Sequence, residues 1–270
     1  MQLNICTGMP RSGSTVLMNI LQQNPRLFTS GTCVLPRLLK DLLTRVRVKE
    51  EFLAMSQESA DKALYGFVQG AAHGWYSGLT DKPVVFSKSR YWSEFLHLVP
   101  NAKVLVTVRD LRDIVESFDK LESKTLSTHT YTDDNTVVAS MTIQEKFQYY
   151  VNRMNPMNAS LRTEIPRCMD LFPTGRIMFI RYEDFTKEPE YMLQKVYRFL
   201  GEEYFEHDLK NIELNANYEH DNVYYAEKIS HVTDREFKYY KEPQRKLPDW
   251  FHEGVVRENE WYYNAFYPGA

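Results

Sequence analysis

The chain has few cysteines, no long apolar run and no excess of charge, and each absence excludes a class of protein. Only three cysteines, Cys6, Cys33 and Cys168, occur in 270 residues. Widely spaced cysteines in an odd number form neither a disulfide framework nor a metal box, so a reducing compartment fits best. No apolar run approaches the roughly 20 residues that a membrane helix needs, and no secretory leader is recognisable. We therefore expect a cytoplasmic protein that does not bind membranes.

The charge balance argues against nucleic-acid binding, and the lack of linkers indicates the number of domains. The chain has 33 basic and 36 acidic residues, a net charge of −3, so no overall field attracts nucleic acid. No Pro/Gly/Ser-rich linker divides it, and 43% apolar residues are ordinary for a globular protein. We predict a single domain over 1–270, mostly irregular over 202–270 except for a final helix near 248–260.

A short motif follows directly after the first apolar strand. "NICTGMPRSGSTVLMNILQQNP" has four residues between Gly8 and Gly13, followed by two hydroxyls, which is the spacing of a phosphate-binding loop. Ser14 stands where a nucleotide triphosphatase has Lys, and the cation has moved to Arg11. The guanidinium fork, the hydroxyls and free amides at a helix start suit a tetrahedral oxyanion. The alternative is an ordinary strand-to-helix turn with capping serines.

Strands and helices alternate along the chain. Continuous apolar runs predict buried strands, with a helix predicted after most of them. Strands are expected within 26–31, 82–92, 101–110 and 175–185, and helices over 34–47, around 50–72, and over 92–98, 111–121 and 189–201. This alternation predicts a three-layer α/β fold, with a mostly parallel sheet and the ligand at the carboxyl ends of the strands.

A second anion site is indicated by "VLVTVRDLRDIVESF". It puts Arg109 at the end of a buried strand and Ser117 two turns into the next helix, so that both could face one phosphate. The alternative is that Arg109 and Arg112 are solvated partners of Asp110 and Asp113.

Together these segments resemble the sulfotransferases that use 3′-phosphoadenosine 5′-phosphosulfate (PAPS) as donor. "PRSGST" is similar to their 5′-phosphosulfate loop, "VTVRDLRDIVESF" to their 3′-phosphate motif, and "RYEDFTKEPEYMLQKVYRFLG" is typical of the family, with Tyr182 near the cofactor. The resemblance covers residues 3–201. It implies a P-loop-type fold and sulfuryl transfer without a required metal.

The motifs are nearest to those of tyrosylprotein sulfotransferases. "NPRLFTSGTCVLPRLL" is similar to the stretch after their first helix, and "SKSRYW" places Lys88 on the family's catalytic lysine. "EKISHVTDREFK" resembles their lid over the cofactor and gives roles to Thr233 and Lys238; its alternative is a Lys-rich surface loop. The resemblance implies that Arg11 and Lys88 are catalytic, and it implies cofactor binding by Pro10, Arg11, Ser12, Gly13, Ser14, Thr15, Arg109, Ser117, Tyr182, Thr233 and Lys238.

The acceptor side departs from these relatives. Gly31 stands where the tyrosylprotein enzymes have the Glu that acts as their general base. Arg90 stands where cytosolic members have a His in that role. Arginine stays protonated and cannot serve as a base. His231 and His73 are candidate bases on residue type alone. Arg90 joins Thr32 and Arg37 as the predicted acceptor-binding residues.

The predicted function is sulfuryl transfer from PAPS, which leaves 3′-phosphoadenosine 5′-phosphate (PAP), to a hydroxyl or amine. The acceptor is a small molecule, a glycan or a tyrosine, and a homodimer is compatible with the sequence. A nucleotide-binding protein that has lost its base is the alternative. A small-molecule kinase is disfavoured because the loop lacks its Lys.

Overall fold

A computed structural model describes residues 1–31, 33–122, 138–153, 155–213 and 235–269. Within them, five strands form one parallel sheet in the order β2-β3-β1-β4-β5. The strands are β1 (Gln2–Gly8), β2 (Leu27–Thr29), β3 (Val84–Lys88), β4 (Val104–Val108) and β5 (Ile177–Arg181). The predicted α/β fold class and all of its predicted strands are confirmed.

Helices connect the strands and cover both faces of the sheet. The first group is α1 (Ser14–Leu21), α2 (Leu35–Val46), α3 (Glu50–Leu53), α4 (Gln57–Ser77) and α5 (Leu111–Glu122). The second group is α6 (Ile143–Phe147), α7 (Pro156–Ala159), α8 (Ile165–Leu171), α9 (Tyr182–Lys187), α10 (Pro189–Leu200), α11 (Asp249–Glu258) and α12 (Glu260–Phe266). Short π-helical turns span Gln148–Asn152 and Ser160–Glu164. None of the helices in the described ranges is long and apolar enough to cross a membrane.

Alternate residues of each strand enter two separate apolar cores. In β1, Ile5 packs in the core formed with α2, α4, α5 and the C-terminal helices, whereas Cys6 packs in the core formed with α1 and α10. Both residues are fully buried. Successive side chains of a strand point to opposite faces, so the continuous apolar runs in the sequence correspond to a three-layer structure.

The strand order positions the site. Strand β1 lies between β3 on one side and β4 on the other, and all three strands run parallel, so their carboxyl ends meet at one edge. Cys6 is paired with Lys88 in register, and Gly8 with Thr107. Ligands of open parallel sheets bind where the strand order reverses, which here is the edge that carries Gly8, Lys88 and Arg109.

Two predicted helices differ from those observed. In place of a helix over 92–98, a 3₁₀ turn spans Arg90–Glu94. Its start is fixed by the Ser89 hydroxyl, which accepts from the Tyr91 amide, and by buried Trp92, whose indole donates to the Ser87 hydroxyl at 2.6 Å. The helical stretch around 50–72 is two helices, the second capped by Ser56 and extending to Ser77.

The C-terminal region agrees with its prediction where it is described. Residues 202–213 and 235–248 contain no helix or strand. The predicted final helix is present as α11, and α12 follows it directly.

Candidate functional site

The phosphate loop, residues 8–13, depends on two glycines with positive φ angles. Gly8 has a φ of 128° and Gly13 a φ of 83°. A Cβ on Gly8 would lie 2.2 Å from the Thr107 carbonyl oxygen, and the next amide, of Met9, donates to that same oxygen at 2.8 Å. The loop therefore leaves the sheet in close backbone contact with β4, which a side chain at Gly8 would prevent.

Arg11 connects the loop to the second predicted motif. It has a φ of 59°, and among the described residues it is the only one other than glycine with a positive φ. Its Nε donates to the Ser117 hydroxyl at 3.0 Å, and its carbonyl oxygen accepts from Arg109 Nη1 at 2.9 Å. Such backbone strain costs on the order of 1–3 kcal/mol and is concentrated at functional sites. Two motifs about a hundred residues apart in the sequence thus form one cluster.

Lys88 reaches the start of α1 from the neighbouring strand. Gly13 is the N-cap of α1, and no side-chain hydrogen bond caps the helix. The Lys88 ammonium donates to the Thr15 hydroxyl at 2.6 Å, and the Lys88 amide donates to the Ser30 hydroxyl at 2.9 Å. Amides and the helix dipole make such a start attractive to an anion, and the lysine adds a full positive charge beside it.

Ser12 has a structural role through its hydroxyl. The side chain is buried; its Oγ donates to the Met9 carbonyl at 2.5 Å and lies 2.6 Å from the Thr107 hydroxyl. The hydroxyl is therefore already engaged, and Ser12 can contribute to anion binding through its backbone amide.

Tyr182 connects the loop to Arg109 on the other side. The Arg109 guanidinium lies over the Tyr182 ring, 4.2 Å from its centroid, an attractive cation–π geometry. The same ring lies so close to Gly13 that a Cβ there would be 2.8 Å from its Cδ2 atom. Arg109 Nε is buried and has no hydrogen-bond partner within the described residues.

Two of the three predicted acceptor-binding residues, Arg37 and Arg90, lie among the described residues. Arg37 is exposed in the first turn of α2 and donates to the Tyr91 hydroxyl at 2.9 Å. Arg90 is half-buried and donates to the Pro156 carbonyl at 3.3 Å. Thr32 lies outside the described residues.

The predicted lid and one of the candidate bases lie partly outside the described residues. His231 and Thr233 lie outside the described residues, so their roles stay predictions. Lys238 is exposed, in a segment whose Tyr240 amide donates to the Thr186 carbonyl of α9. His73 is exposed on α4, and its ring lies 3.3 Å from Ser77 of the same helix.

Glu164 is a buried carboxyl that the sequence reasoning missed. It ends a π-helical turn, is 5% exposed, and accepts from the Thr7 hydroxyl at 3.1 Å. Burial raises its pKa to about 8, although the charge of Arg90 and the Thr7 hydrogen bond both lower it. Because its carboxyl is buried and already bonded to Thr7, we assign it no role as a base. No sequence motif marks it, since the segment around it is ordinary helix in pattern.

The described residues contain no group of three or more His, Cys, Asp or Glu that could hold a metal ion. The donors gathered at the sheet edge are guanidinium, ammonium, hydroxyl and amide groups. This set suits an anion with several oxygens rather than a cation.

Comparisons with known proteins agree with this arrangement. The sequence model of the Sulfotransferase family matches residues 5–206. A Caenorhabditis briggsae protein named "Putative protein-tyrosine sulfotransferase" is 24% identical over 223 residues, which are 79% of this chain and 70% of that protein.

Two solved structures show the same fold. The sulfotransferase domain from the Synechococcus PCC 7002 olefin synthase is 17% identical with a TM-score of 0.52, covering 97% of this chain and 94% of the other. A sulfotransferase from Mycobacterium avium is 13% identical with a TM-score of 0.52, covering 98% of this chain and 77% of the other. Because the family match spans most of the sequence and the fold agrees with it, we conclude that the chain belongs to the sulfotransferase family of enzymes.

Proposed function

We propose that the enzyme transfers a sulfuryl group from PAPS to an acidic hydroxyl or an amine. The observation that carries the proposal is the contact between the two anion motifs. Arg11 Nε donates to Ser117, and Arg109 donates to the Arg11 carbonyl. Two separate phosphate sites that share one arginine suit a nucleotide with phosphates at both its 5′ and 3′ positions.

The residues present fit such a donor. Arg109 Nε is buried without a hydrogen-bond partner in the described part of the chain, which leaves a charged donor available. Gly13 lacks the Cβ that would meet Tyr182, so the backbone of the loop lies close to the ring that also contacts Arg109. The loop amides, Ser14 and Thr15 would hold the 5′-phosphate, and Arg109 and Ser117 the 3′-phosphate. Tyr182 would lie near the nucleotide.

Positioning and charge stabilisation then account for the chemistry. The bound donor supplies an activated sulfuryl group and a leaving bisphosphate. Arg11 and Lys88 would stabilise negative charge that develops on the leaving side, as preorganised cations do in phosphoryl transfer. Lys88 is held ready for this by its bonds to Thr15 and Ser30.

The acceptor is proposed to be acidic because no base is at hand among the described residues of the site. Gly31 offers no side chain and Arg90 stays charged. A phenol, with a pKa of about 10, needs far less help than a sugar hydroxyl to attack as an anion. Thr32, Arg37 and Arg90 would contact this acceptor, and His231 stays a candidate base in the proposed lid with Thr233 and Lys238. A cytoplasmic location belongs to the same proposal, supported by three buried cysteines that form no disulfide.

The test combines binding and turnover. Calorimetry without magnesium should show PAP binding much more tightly than AMP or ATP. Phenolic, amine and sugar acceptors are then screened with radiolabelled donor, and a pH–rate profile is measured for the substrate that reacts and for His231→Ala. Equal affinity for PAP and AMP would overturn the donor assignment. Tight PAP binding without transfer to any acceptor class would point to the nucleotide-binding alternative.

A further inference from the structure

Tyr262, on the C-terminal helix α12, binds both backbone groups of Arg109. Its hydroxyl donates to the Arg109 carbonyl at 2.9 Å and accepts from the Arg109 amide at 3.2 Å. The tyrosine is fully buried, and it follows Arg109 by 153 residues in the sequence. Strand β4 ends at Val108, so the backbone of Arg109 is paired with this phenol instead of with a neighbouring strand.

Two further tyrosines of the same C-terminal segment form hydrogen bonds that hold Asp110, the residue after Arg109. The Tyr263 hydroxyl donates to Asp110 Oδ1 at 2.9 Å. The Tyr267 hydroxyl donates to Glu183 Oε2 at 2.8 Å, and Glu183 Oε1 accepts from the Asp110 amide at 3.0 Å. Burial raises the pKa of Tyr263 well above its ordinary value, so this hydroxyl keeps its proton and can donate. The Arg109 turn, Arg109–Asp110, is therefore enclosed by hydrogen bonds from a distant part of the chain.

The side chain of Arg109 is free of this enclosure and faces the phosphate loop. Its Nη1 bonds the Arg11 carbonyl, its guanidinium lies over Tyr182, and its Nε is buried without a partner in the described residues. A guanidinium fork recognises a phosphate only when its plane is correctly oriented. Because both backbone groups of Arg109 are fixed, its side chain loses less conformational freedom when a ligand binds.

We infer that Tyr262 is a positioning residue for recognition of the 3′-phosphate. It acts through Arg109 and does not itself touch the nucleotide. The inference rests on the proposed function, because it requires that Arg109 binds that phosphate. It assigns a role to the aromatic C-terminal segment beyond filling the core: its hydroxyls determine how strongly the enzyme distinguishes a bisphosphate from a monophosphate.

The test is Tyr262→Phe, which keeps the ring and removes both hydrogen bonds. The dissociation constants of PAP and AMP are measured by calorimetry, with the melting temperature as a measure of stability. PAP affinity should fall about tenfold, the change that corresponds to about 1.4 kcal/mol, close to the value of a typical hydrogen bond. AMP affinity should change by less than about twofold.

A matched control is Tyr197→Phe. Tyr197 is equally buried, and its hydroxyl bonds Asn24 and His207 in the other apolar core. This variant should lower the melting temperature and leave the ratio of AMP to PAP dissociation constants unchanged. Tyr262→Phe is also combined with Arg109→Ala, in which it should no longer affect PAP affinity.

The outcomes separate the inference from the proposed function. If the wild type binds PAP and AMP equally, the proposed function fails. If the wild type prefers PAP and Tyr262→Phe keeps the full preference, or weakens both ligands equally, the inference is overturned. Should Tyr262→Phe not fold, Tyr263→Phe removes only the bond to Asp110. A loss of about threefold in the PAP preference would then support the inference, and an unchanged preference would overturn it.

Discussion

The phosphate loop and the Arg109 turn are held in place by different means. The loop is shaped by local backbone geometry, with positive φ angles at Gly8 and Gly13. The Arg109 turn is held by side chains that lie far away in the sequence, with Tyr262 and Tyr263 at its backbone and carboxylate. The phosphate loop can thus be predicted from a few consecutive residues. For the Arg109 turn, the sequence predicts only the strand and the arginine, whereas the hydrogen bonds that hold the turn are known only from the structure.

The largest expected effect is a loss of turnover when either of the two cations at the phosphate loop and the start of α1 is removed. Lys88→Ala and Arg11→Ala should each lower kcat by about 10²–10³, the range for removing one preorganised group that stabilises developing charge. Lys88→Ala should keep PAP affinity within a few fold, because this interaction strengthens in the transition state. Arg11→Ala should also weaken PAP binding, since it removes the contact with Ser117. Lys62→Ala, on an exposed face of α4, is the control. Near-normal turnover in Lys88→Ala would refute its role.

The next effect tests whether the loop depends on backbone space. In Gly8→Ala the new Cβ would meet the Thr107 backbone in a conformation that L-residues rarely adopt, so the free energy of unfolding should fall by about 3 kcal/mol. Gly175→Ala is the matched control, because Gly175 has a φ of 73° but nothing within 4 Å of its Cβ position. It should lose only about 1 kcal/mol. Chemical denaturation measures both variants. Equal losses of unfolding free energy would show that backbone strain alone, and not the contact with Thr107, disfavours a side chain at Gly8.

The sequence predicted the parts of the site whose determinants are local. The strand, the glycines and Arg11 follow one another, and the runs that became β3 and β4 brought Lys88 and Arg109 to the same edge of the sheet. Ser117 follows Arg109 by two helical turns and accepts a hydrogen bond from Arg11, so the two motifs are in contact; that they serve one ligand stays a prediction.

What the sequence could not predict depends on contacts between distant segments. Nothing near Glu164 indicates that Thr7, 157 residues earlier, will bond its carboxyl. Nothing in "EWYYNAFY" (260–267) states which of its tyrosines will meet the Arg109 backbone. The 3₁₀ turn after β3 likewise differs from the predicted helix, because the burial of Trp92 against Ser87 outweighs local helical spacing.

The third prediction concerns affinity at the Arg109 turn. Arg109→Ala should weaken PAP binding by about 1.5–3 kcal/mol, the range for hydrogen bonds to charged groups. AMP binding should change less, since AMP has no 3′-phosphate. Calorimetry measures both ligands, and Arg26→Ala is the control because its guanidinium is largely exposed and pairs with Glu202. Equal losses for PAP and AMP would mean that Arg109 supports only the loop, through its bond to the Arg11 carbonyl.

The last effect, a gradual one, is expected in the pH dependence of stability at Glu164, whose carboxyl bonds Thr7 just before the phosphate loop. Burial raises its pKa from 4.5 to about 8, so the folded state binds a proton that the unfolded state has already released between these values. Its contribution to stability is therefore fully present below pH 4.5 and is lost as the pH rises through about 8.

Glu164→Gln should remove this dependence. The neutral amide can still accept from Thr7 but cannot ionise, so the variant should gain on the wild type as the pH rises. The difference in unfolding free energy should grow by up to about 1.4 kcal/mol per pH unit between about pH 5.5 and 7.5. Denaturation at three pH values measures it, and comparing the two proteins cancels the titration of groups that they share. Thr7→Val should shift the transition to higher pH, because it removes a hydrogen bond that lowers the pKa of Glu164. Parallel stability curves for the wild type and Glu164→Gln would show that the carboxyl titrates at its ordinary pKa despite its burial.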